Sequence, residues 1–450
     1  MPLAPWSQTL HHLENGVRVA AVHLPHVERP QLCVALRAGP AFETDATWGL
    51  SHMVEHMVFR GAEDVGDAKA VALAFDAFGG DANAATYRDR MVFESRCDAG
   101  SLSDAVGLLS AMLQRPLFND FNIEKDIMRE ELLESLDDDD DDVDVDNLLM
   151  ERLFPGGVLS RSIEGPLDFL ERRTPKELRA FHAQLLQPQD ALILAVGNDL
   201  DDELLRAAQK HFGKWASTTK PLVGKAPKNR VRAHLGGQHA DDVQTQVRLG
   251  FLGPGLRASH LHTAGEQAQD AQAQDAQATE RSAMHLLLRI LDDGPASRVQ
   301  SELVDAQGLA YSLWASSESF VDESAFEMGA EVHHQKAHVV VQDFCKLLNE
   351  IRHDGVSDDE VERAKRRIER DFVDNALDPE GVAEYMAHSL LFDLDVRPGQ
   401  QLEKARQISK EHIQSFVQDH LDADHARVAF VGRLTRKQKD ACKAALDGLG

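Results

Sequence analysis

The chain has 450 residues, 43% of them hydrophobic, and this length predicts two or three globular domains rather than a single core. Its 48 Lys and Arg residues against 75 Asp and Glu residues give a formal net charge of -27, which excludes the basic surface that nucleic acids and anionic membranes require. No stretch approaches the roughly 18 consecutive apolar residues of a membrane-spanning helix.

The cysteines and the N-terminal residues bear on the cellular compartment. Four cysteines, at positions 33, 97, 345 and 442, form no C-x-x-C pair, which indicates reduced thiols rather than a disulfide framework or a zinc ribbon. The first residues lack a basic segment followed by an apolar one. We therefore expect a cytoplasmic protein, or a periplasmic one if a leader has been removed.

The N-terminal part of the chain predicts two strands and a helix in succession. Segments 17–24 and 31–38 are short and rich in β-branched residues, which predicts neighbouring strands. The segment GLSHMVEHMVFRG, residues 49–61, sets ionisable side chains among leucine, methionine, valine and phenylalanine. Such groups are costly in apolar surroundings unless something binds them, so this segment requires an explanation.

The ionisable side chains of this segment share one face of the predicted helix. Residues four apart lie about 40° apart around a helix axis and residues three apart about 60°, so His52, Glu55 and His56 project to one side. Two imidazoles on one face can hold a Zn²⁺ ion. The alternative is a pair of hydrogen-bonded histidines at a helix surface without a metal. A third metal ligand elsewhere in the chain would favour the zinc site.

A second predicted helix, NIEKDIMREELLESL at 122–136, offers a third ligand. A catalytic zinc takes three protein ligands and leaves its fourth position to water. On a helical wheel Glu124 and Glu131 lie between the apolar residues Ile127 and Met128. A charged side chain on this apolar face is unfavourable unless it binds something. Glu130 lies on a different side of this helix. Because the two glutamates are adjacent, Glu130 in place of Glu131 is left open as the third ligand.

The second half of the chain repeats the first. TPKELRAFHAQLLQPQDALILAVGN (174–198) corresponds to SKEHIQSFVQDHLDADHARVAFVGR (409–433), each a capped helix followed by a strand that ends in glycine. Short strands alternate with amphipathic helices in both halves. We therefore predict an α+β protein made of two homologous two-layer domains, each a mainly antiparallel sheet with helices packed on one face.

The repeat and the composition predict the domain boundaries. Residues 1–217 form the first domain, 218–236 a linker rich in proline, glycine and basic residues, and 237–450 the second domain. Within the second domain, the Ala/Gln/Asp-rich stretch 264–283 is a low-complexity surface insertion, helical or disordered. Aligning the halves places Arg289 on His56 and Arg367 on Glu131, so the second domain lacks the metal site.

These motifs, in this order, resemble those of the inverted-zincin peptidases, peptidase family M16, which includes pitrilysin, insulinase and the mitochondrial processing peptidase. In that family H-x-x-E-H is followed by a glutamate about 75 residues on, and here Glu131 lies 75 residues after His56. The likeness extends to NGVRV near the start, GGDANAATYRDRMVFES (79–95) and GPASRVQSELVDAQGLAYS (294–312). It implies one Zn²⁺ per chain, bound by His52, His56 and Glu131.

The resemblance also implies roles for two glutamates. Zn²⁺ would polarise the scissile carbonyl and lower the pKa of a bound water toward about 7, while Glu55 takes the proton of the water and passes it to the leaving amine. Glu124 would lie behind the ligands and accept a hydrogen bond from a ligand histidine. The alternative for Glu124 is a charge that favours a helix N-terminus.

Substrate contacts are implied at two further places. The segment around Asn83, Ala84 and Thr86 is similar to the edge strand of the family to which a substrate peptide adds, although a plain hairpin strand is the alternative. In the second half Tyr311 matches a family tyrosine that binds the substrate backbone together with an arginine seven residues earlier. That position is Val304 here, so the chain departs from the pattern.

The function predicted from these residues is that of a zinc-dependent endopeptidase. It would hydrolyse peptides or unfolded segments in a chamber between two subunits. Because Val304 replaces the arginine, we expect a homologous partner subunit that supplies an Arg/Tyr pair in a heterodimer, while a homodimer remains possible. The alternative is a non-catalytic assembly or clamp subunit of a complex similar to the processing peptidase.

Overall fold

The structure is a computed structural model that describes residues 6–137, 141–217, 222, 234–238, 244–256, 267–305, 312–375, 377–394 and 399–450. The strands are, in chain order, β1 (Ser7–His12), β2 (Arg18–His23), β3 (Gln31–Leu36), β4 (Gly61–Ala62), β5 (Gly66–Asp67), β6 (Ala82–Thr86), β7 (Met91–Arg96), β8 (Ala191–Gly197), β9 (Leu235–Gln238), β10 (Gln244–Pro254), β11 (Ser312–Ser319), β12 (Glu323–His333) and β13 (Arg427–Val431). The α-helices are α1 (Leu50–Val58), α2 (Ala68–Ala77), α3 (Leu102–Gln114), α4 (Phe121–Leu133), α5 (Val145–Leu153), α6 (Leu167–Arg172), α7 (Pro175–Leu185), α8 (Asp201–His211), α9 (Gln267–Leu291), α10 (Ala337–Asp354), α11 (Asp358–Asn375), α12 (Pro379–Leu391), α13 (Gln400–Gln407), α14 (Lys410–His420) and α15 (Arg436–Asp447).

The chain forms two compact units that are not simply its two halves. The first unit comprises residues 1–134, 157–228 and 373–398, and the second comprises 135–156, 229–372 and 399–450. Each unit therefore contains one segment from the other half of the chain. The contiguous ranges 1–217 and 237–450 that the repeat predicts do not include this exchange, because sequence similarity locates repeated elements but not the unit in which each one packs.

The first unit is built on a six-stranded sheet with the order β1-β2-β8-β3-β7-β6. Its neighbours pair antiparallel except for β2 and β8, which are parallel. Every residue of the central strands β3 and β8 is buried, as expected for continuous apolar runs that are covered on both faces. Strand β6 ends the described sheet, and helix α1 packs beside it.

A helix from the second half of the chain completes the first unit. Helix α12 packs on β3 and β8. The guanidinium of Arg18 donates hydrogen bonds to the carbonyl oxygens of Leu390 and Leu391, at 2.8 and 2.9 Å, and so satisfies two acceptors in the last turn of α12. Asp393 accepts a further bond from Arg18 at 2.8 Å, so the end of the segment is fixed by charge as well as by packing.

The second unit has a five-stranded sheet with the order β11-β12-β10-β13-β9. Its neighbours pair antiparallel except for β13 and β9, which are parallel. Helix α5, from the first half of the chain, packs on β10 and β13. The core includes the buried ring of Phe326, which contacts the buried rings of Phe251 and Phe416. The two sheets with their packed helices confirm the predicted α+β class.

The predicted linker and insertion lie partly outside the described residues. Of the linker 218–236, residues 222 and 234–236 are described, and Leu235 and Gly236 begin strand β9 instead of continuing a linker. Of the insertion 264–283, residues 267–283 are described, and they form the first part of helix α9. Among the helices that the structure describes, none combines the length and the apolar composition needed to cross a bilayer.

Candidate metal centre

Helix α1 carries the H-x-x-E-H motif and begins at a glycine that the local geometry requires. Gly49 precedes the helix with a φ of 83°, and a Cβ there would lie 2.3 Å from the carbonyl oxygen of Glu164. The apolar face of α1 is buried in the first unit, including Met53, Val54 and Met57. This packing leaves His52, Glu55 and His56 on the remaining, partly exposed face.

A buried carboxylate holds the start of α1. Glu43 is fully buried and accepts hydrogen bonds from the backbone N–H groups of Gly49 and Ser51, at 2.9 and 2.7 Å. Burial raises the pKa of Glu43 to about 7, while the hydrogen bonds from Ser51 and Gly49 and the charge of Arg161 lower it. Glu43 was not predicted from the sequence, because no periodic pattern in its loop connects it with the helix that it holds.

The three predicted ligands come together at the face of α1 that meets α4. The Nε2 atom of His56 lies 3.0 Å from Nε2 of His52 and 3.4 Å from Oε2 of Glu131, and His52 Nε2 lies 4.0 Å from the same oxygen. Within the described residues, this is the one place where three His, Cys, Asp or Glu ligand atoms lie within 4.8 Å of one another. Glu130, by contrast, is exposed and bonds Arg129.

These separations suit a zinc ion. Zinc bonds of about 2.0–2.1 Å at tetrahedral angles set neighbouring ligand atoms about 3.4 Å apart, which falls within the 3.0 to 4.0 Å found here. Burial, and then the proximity of His56, lowers the pKa of His52 to about 3, so its imidazole is neutral. A neutral imidazole is the form that binds a metal, so the donor set fits Zn²⁺.

Two further residues, Glu124 and Arg60, orient one of the predicted ligands. The carboxylate of Glu124, which is only 5% exposed, accepts a hydrogen bond from Nδ1 of His56 at 2.9 Å, which leaves Nε2 free to bind a metal. The guanidinium of Arg60 donates to the other oxygen of Glu124. Arg60 lies four residues after His56, just past the end of α1, and this spacing is the signal in the sequence that could have identified it. Nδ1 of His52 is buried without a hydrogen-bond partner among the described residues.

Glu55 lies next to His56 on α1 and contacts strand β6. The hydroxyl of Thr86 donates a hydrogen bond to Oε2 of Glu55 at 2.5 Å. Burial raises the pKa of Glu55, whereas the hydrogen bonds from the side chain and backbone of Thr86 lower it. A raised pKa brings a carboxylate nearer to the range in which it accepts a proton at neutral pH.

A cavity of about 620 Å³ opens beside Glu55 and His56. It lies between α1, α2 and β6 and has walls of mixed character. Apolar lining comes from Phe59, Val71 and Phe75, and polar lining from Arg60, Asp76, Asp81, Asn83 and Glu124. The predicted substrate residues Asn83 and Ala84 thus border a space next to Glu55, while Thr86 contacts Glu55 itself.

The second unit carries arginines where the repeat alignment places ligands. Arg289 lies 2.6 Å from Asp371 and 3.2 Å from Asp293, and Arg367 lies 2.5 Å from Asp293. Ion pairs therefore join α9 and α11 at the place that corresponds to the ligand cluster. Val304 is half-buried in a π-helix, Val299–Asp305, and Tyr311 lies outside the described residues.

Comparison with known proteins also distinguishes a part of the chain with the H-x-x-E-H motif from a part without it. Residues 18–167 match the family model described as Insulinase (Peptidase family M16), and residues 173–368 match the one described as Peptidase M16 inactive domain. A Mycobacterium leprae protein named as an uncharacterized zinc protease is 26% identical over 363 residues, 78% of this chain and 75% of that protein. A Schizosaccharomyces pombe protein named as a probable mitochondrial-processing peptidase subunit beta is 24% identical over 410 residues, 87% of this chain and 85% of that protein.

Solved structures share the fold. A protease from Helicobacter pylori superposes with a TM-score of 0.84 at 19% identity, over 96% of this chain and all of that one. A Pseudomonas fluorescens structure described as a peptidase M16 inactive domain superposes with a TM-score of 0.80 at 18% identity, over 95% of this chain and 99% of that one. The resemblance noted in the sequence is confirmed, and because the two family models together span well over half of its length, the chain belongs to the insulinase family, peptidase family M16.

Proposed function

We propose that this chain is a zinc-dependent endopeptidase that cleaves peptides or unfolded segments. The observation that carries the proposal is the convergence of the ligand atoms of His52, His56 and Glu131 within 4.8 Å, with Glu55 on α1 next to the two histidines. The relatives named as zinc proteases support it. One Zn²⁺ ion per chain would be bound by the two imidazoles and the carboxylate.

The protein residues divide the chemical work between them. When bound, Zn²⁺ supplies Lewis acidity, which polarises a peptide carbonyl and lowers the pKa of a water molecule. Glu55 accepts the proton of the attacking water and delivers it to the amine of the leaving peptide. Glu124, held by Arg60, keeps His56 in the tautomer that presents Nε2.

The substrate would be an extended peptide seated on strand β6. That strand ends the described sheet, and Asn83 and Ala84 on it border the cavity beside Glu55. A peptide that adds to such an edge gains main-chain hydrogen bonds that do not depend on its sequence, while the cavity accepts one of its side chains. This arrangement favours unfolded segments over folded proteins as substrates.

A partner subunit would complete the site. Val304 cannot donate the forked hydrogen bonds with which an arginine grips peptide carbonyls, so substrate positioning by this chain alone would be deficient. We therefore propose a heterodimer around a chamber, with an Arg/Tyr pair from a homologous subunit. The similarity to a protein named as one subunit of the mitochondrial processing peptidase supports this. A homodimer of this chain is the alternative.

The thiols bear on the cellular compartment, which we propose is the cytoplasm. All four cysteines are buried and unpaired, which supports a reducing environment and therefore the cytoplasm. A periplasmic location remains the alternative if a leader has been removed.

The proposal is tested by metal analysis and peptide cleavage with the Glu55→Gln variant. That variant keeps all three ligands, so it should bind one zinc per chain and yet lose most turnover, because the amide cannot accept the proton. The matched control is Glu130→Gln on α4, which should keep both properties. Parental cleavage by Glu55→Gln would contradict the role of Glu55, and a parent without stoichiometric zinc would favour the non-catalytic clamp.

A further inference from the structure

Thr86 connects the outermost strand of the first sheet with the side chain of Glu55. It is the last residue of β6 and is 9% exposed. Its hydroxyl donates to Oε2 of Glu55 at 2.5 Å, and its backbone also hydrogen-bonds that carboxylate. The contact joins residues 31 positions apart, so it belongs to the tertiary fold and not to a local turn.

Because Thr86 lies on β6, its contact with Glu55 links the carboxylate to the strand that borders the cavity. Side chains alternate along a strand, so Thr86 shares its face with Ala82 and Ala84, both of which line the cavity beside Glu55. The same strand thus borders the cavity and holds the carboxylate. Any shift of β6 relative to α1 changes the direction of the Glu55 carboxylate.

A carboxylate needs such a restraint in order to act as a base. The last torsion of a glutamate side chain is broad, so an unrestrained carboxylate samples many directions. A general base has to lie within about 2.6–3.2 Å of the proton it takes, and a displacement of about 1 Å can cost roughly 100-fold in rate. A bond from Thr86 to one oxygen fixes the plane of the carboxylate and leaves the other oxygen to accept the proton.

We propose that Thr86 is a positioning residue that fixes the carboxylate of Glu55 and keeps it in register with a peptide bound along β6. This inference rests on the proposed peptidase function and deepens it. It differs from the role that the sequence suggests for Thr86, which is direct contact with substrate. Thr86 acts through Glu55, and its loss should slow the chemical step more than it weakens peptide binding.

The experiment compares two substitutions of nearly equal size in the full chain loaded with zinc. Thr86→Val removes the hydroxyl and keeps the shape, whereas Thr86→Ser keeps the hydroxyl. A hydrogen bond to a charged group accounts for a rate change of roughly 10- to 150-fold, so kcat of Thr86→Val should fall by about that factor while KM changes less than about twofold. Thr86→Ser should recover most of the rate.

Three controls separate positioning from loss of structure. Zinc content, and the absorption spectrum of the cobalt-substituted protein, should be the same for Thr86→Val and the parent, because Thr86 contacts no ligand. Thr245→Val removes a buried strand hydroxyl in the second unit that has no hydrogen-bond partner among the described residues, and it should cleave at the parental rate. In a Glu55→Gln background, Thr86→Val should cause no further loss, because Thr86 acts only through Glu55.

The outcomes are distinct. Parental kcat in Thr86→Val, an equal loss in Thr86→Ser, a rise in KM without a fall in kcat, or loss of zinc from Thr86→Val would each overturn the inference while leaving the peptidase proposal intact. A parent that binds zinc but cleaves no unfolded peptide, alone or with a homologous subunit, would overturn the proposed function and this inference with it.

Discussion

Replacing Glu124 with alanine should weaken zinc binding although Glu124 is not itself a ligand. Its buried carboxylate links the Nδ1 atom of His56, at 2.9 Å, with the guanidinium of Arg60. Without it, the His56 ring loses the acceptor that fixes its tautomer and orientation. Arg60 at the same time loses its partner and adds an unbalanced positive charge near the metal.

The size of the effect follows from this contact. Loss of an outer partner of a ligand histidine costs roughly 10- to 100-fold in metal affinity, which is about 1.4 to 2.7 kcal/mol. Because Glu124 is only 5% exposed and its bond is charge-assisted, Glu124→Ala belongs at the upper end of that range. Glu124→Gln keeps the shape and one acceptor oxygen, so it belongs near the lower end, at about 10-fold.

The assay is competition for zinc between each variant and a chromophoric chelator of known affinity at neutral pH. Glu130→Ala is the matched control, because it also removes a carboxylate from α4. The side chain of Glu130 is 76% exposed. Its affinity should equal that of the parent. A zinc affinity of Glu124→Ala within about twofold of that of the parent would refute the reasoning. If this buried contact orients His56, its loss must weaken zinc binding measurably.

Further predictions concern the third ligand, the partner and metal removal. Glu131→Ala should be metal-poor after dialysis whereas Glu130→Ala should retain zinc, and the reverse pattern would move the ligand by one residue. Titrating a homologous subunit with an intact Arg/Tyr pair against this chain should strongly increase peptide cleavage, whereas full activity of the chain alone would show that Val304 does not matter. Chelation should increase hydrogen exchange in α1 and α4 but not in α9 and α11, which are joined by Arg289 and Asp371; equal changes would contradict a metal confined to the first unit.

Local periodicity predicted which ionisable side chains share a face within each helix, and the family resemblance predicted that the faces of α1 and α4 meet. The three- and four-residue spacing placed His52, Glu55 and His56 on one face of α1, and the helical wheel of α4 separated Glu131 from Glu130. Glu124 was placed behind the ligands by the family resemblance, and it lies against His56. The direction of each side chain depends on residues within one helix, for which sequence spacing is a direct guide, whereas the meeting of the two helices was given by the resemblance.

Contacts between distant elements were not predictable in the same way. The hydrogen bonds that Thr86 donates to Glu55, and that the start of α1 donates to Glu43, depend on how a strand and a loop pack against a helix, and no periodic signal in the sequence encodes that packing. Likewise, the repeat showed that both halves have the same elements, but not that α5 and α12 pack in the opposite units. Similarity between the two halves reflects a common origin of their elements. The unit in which a helix packs depends instead on which apolar surface is available to cover it.

The exchange of segments has a consequence for the synthesis of the protein. The ribosome adds 194 residues between the end of β8, at 197, and the end of α12, at 391. At roughly 5–20 residues per second, β8 lacks the cover of α12 for about 10 to 40 s after it is made, and β3, which is made earlier, lacks it for longer. During that interval the nascent chain presents an apolar sheet face, which is a natural target for chaperones. A gene fragment that ends near residue 217 would yield a polypeptide that never receives this cover.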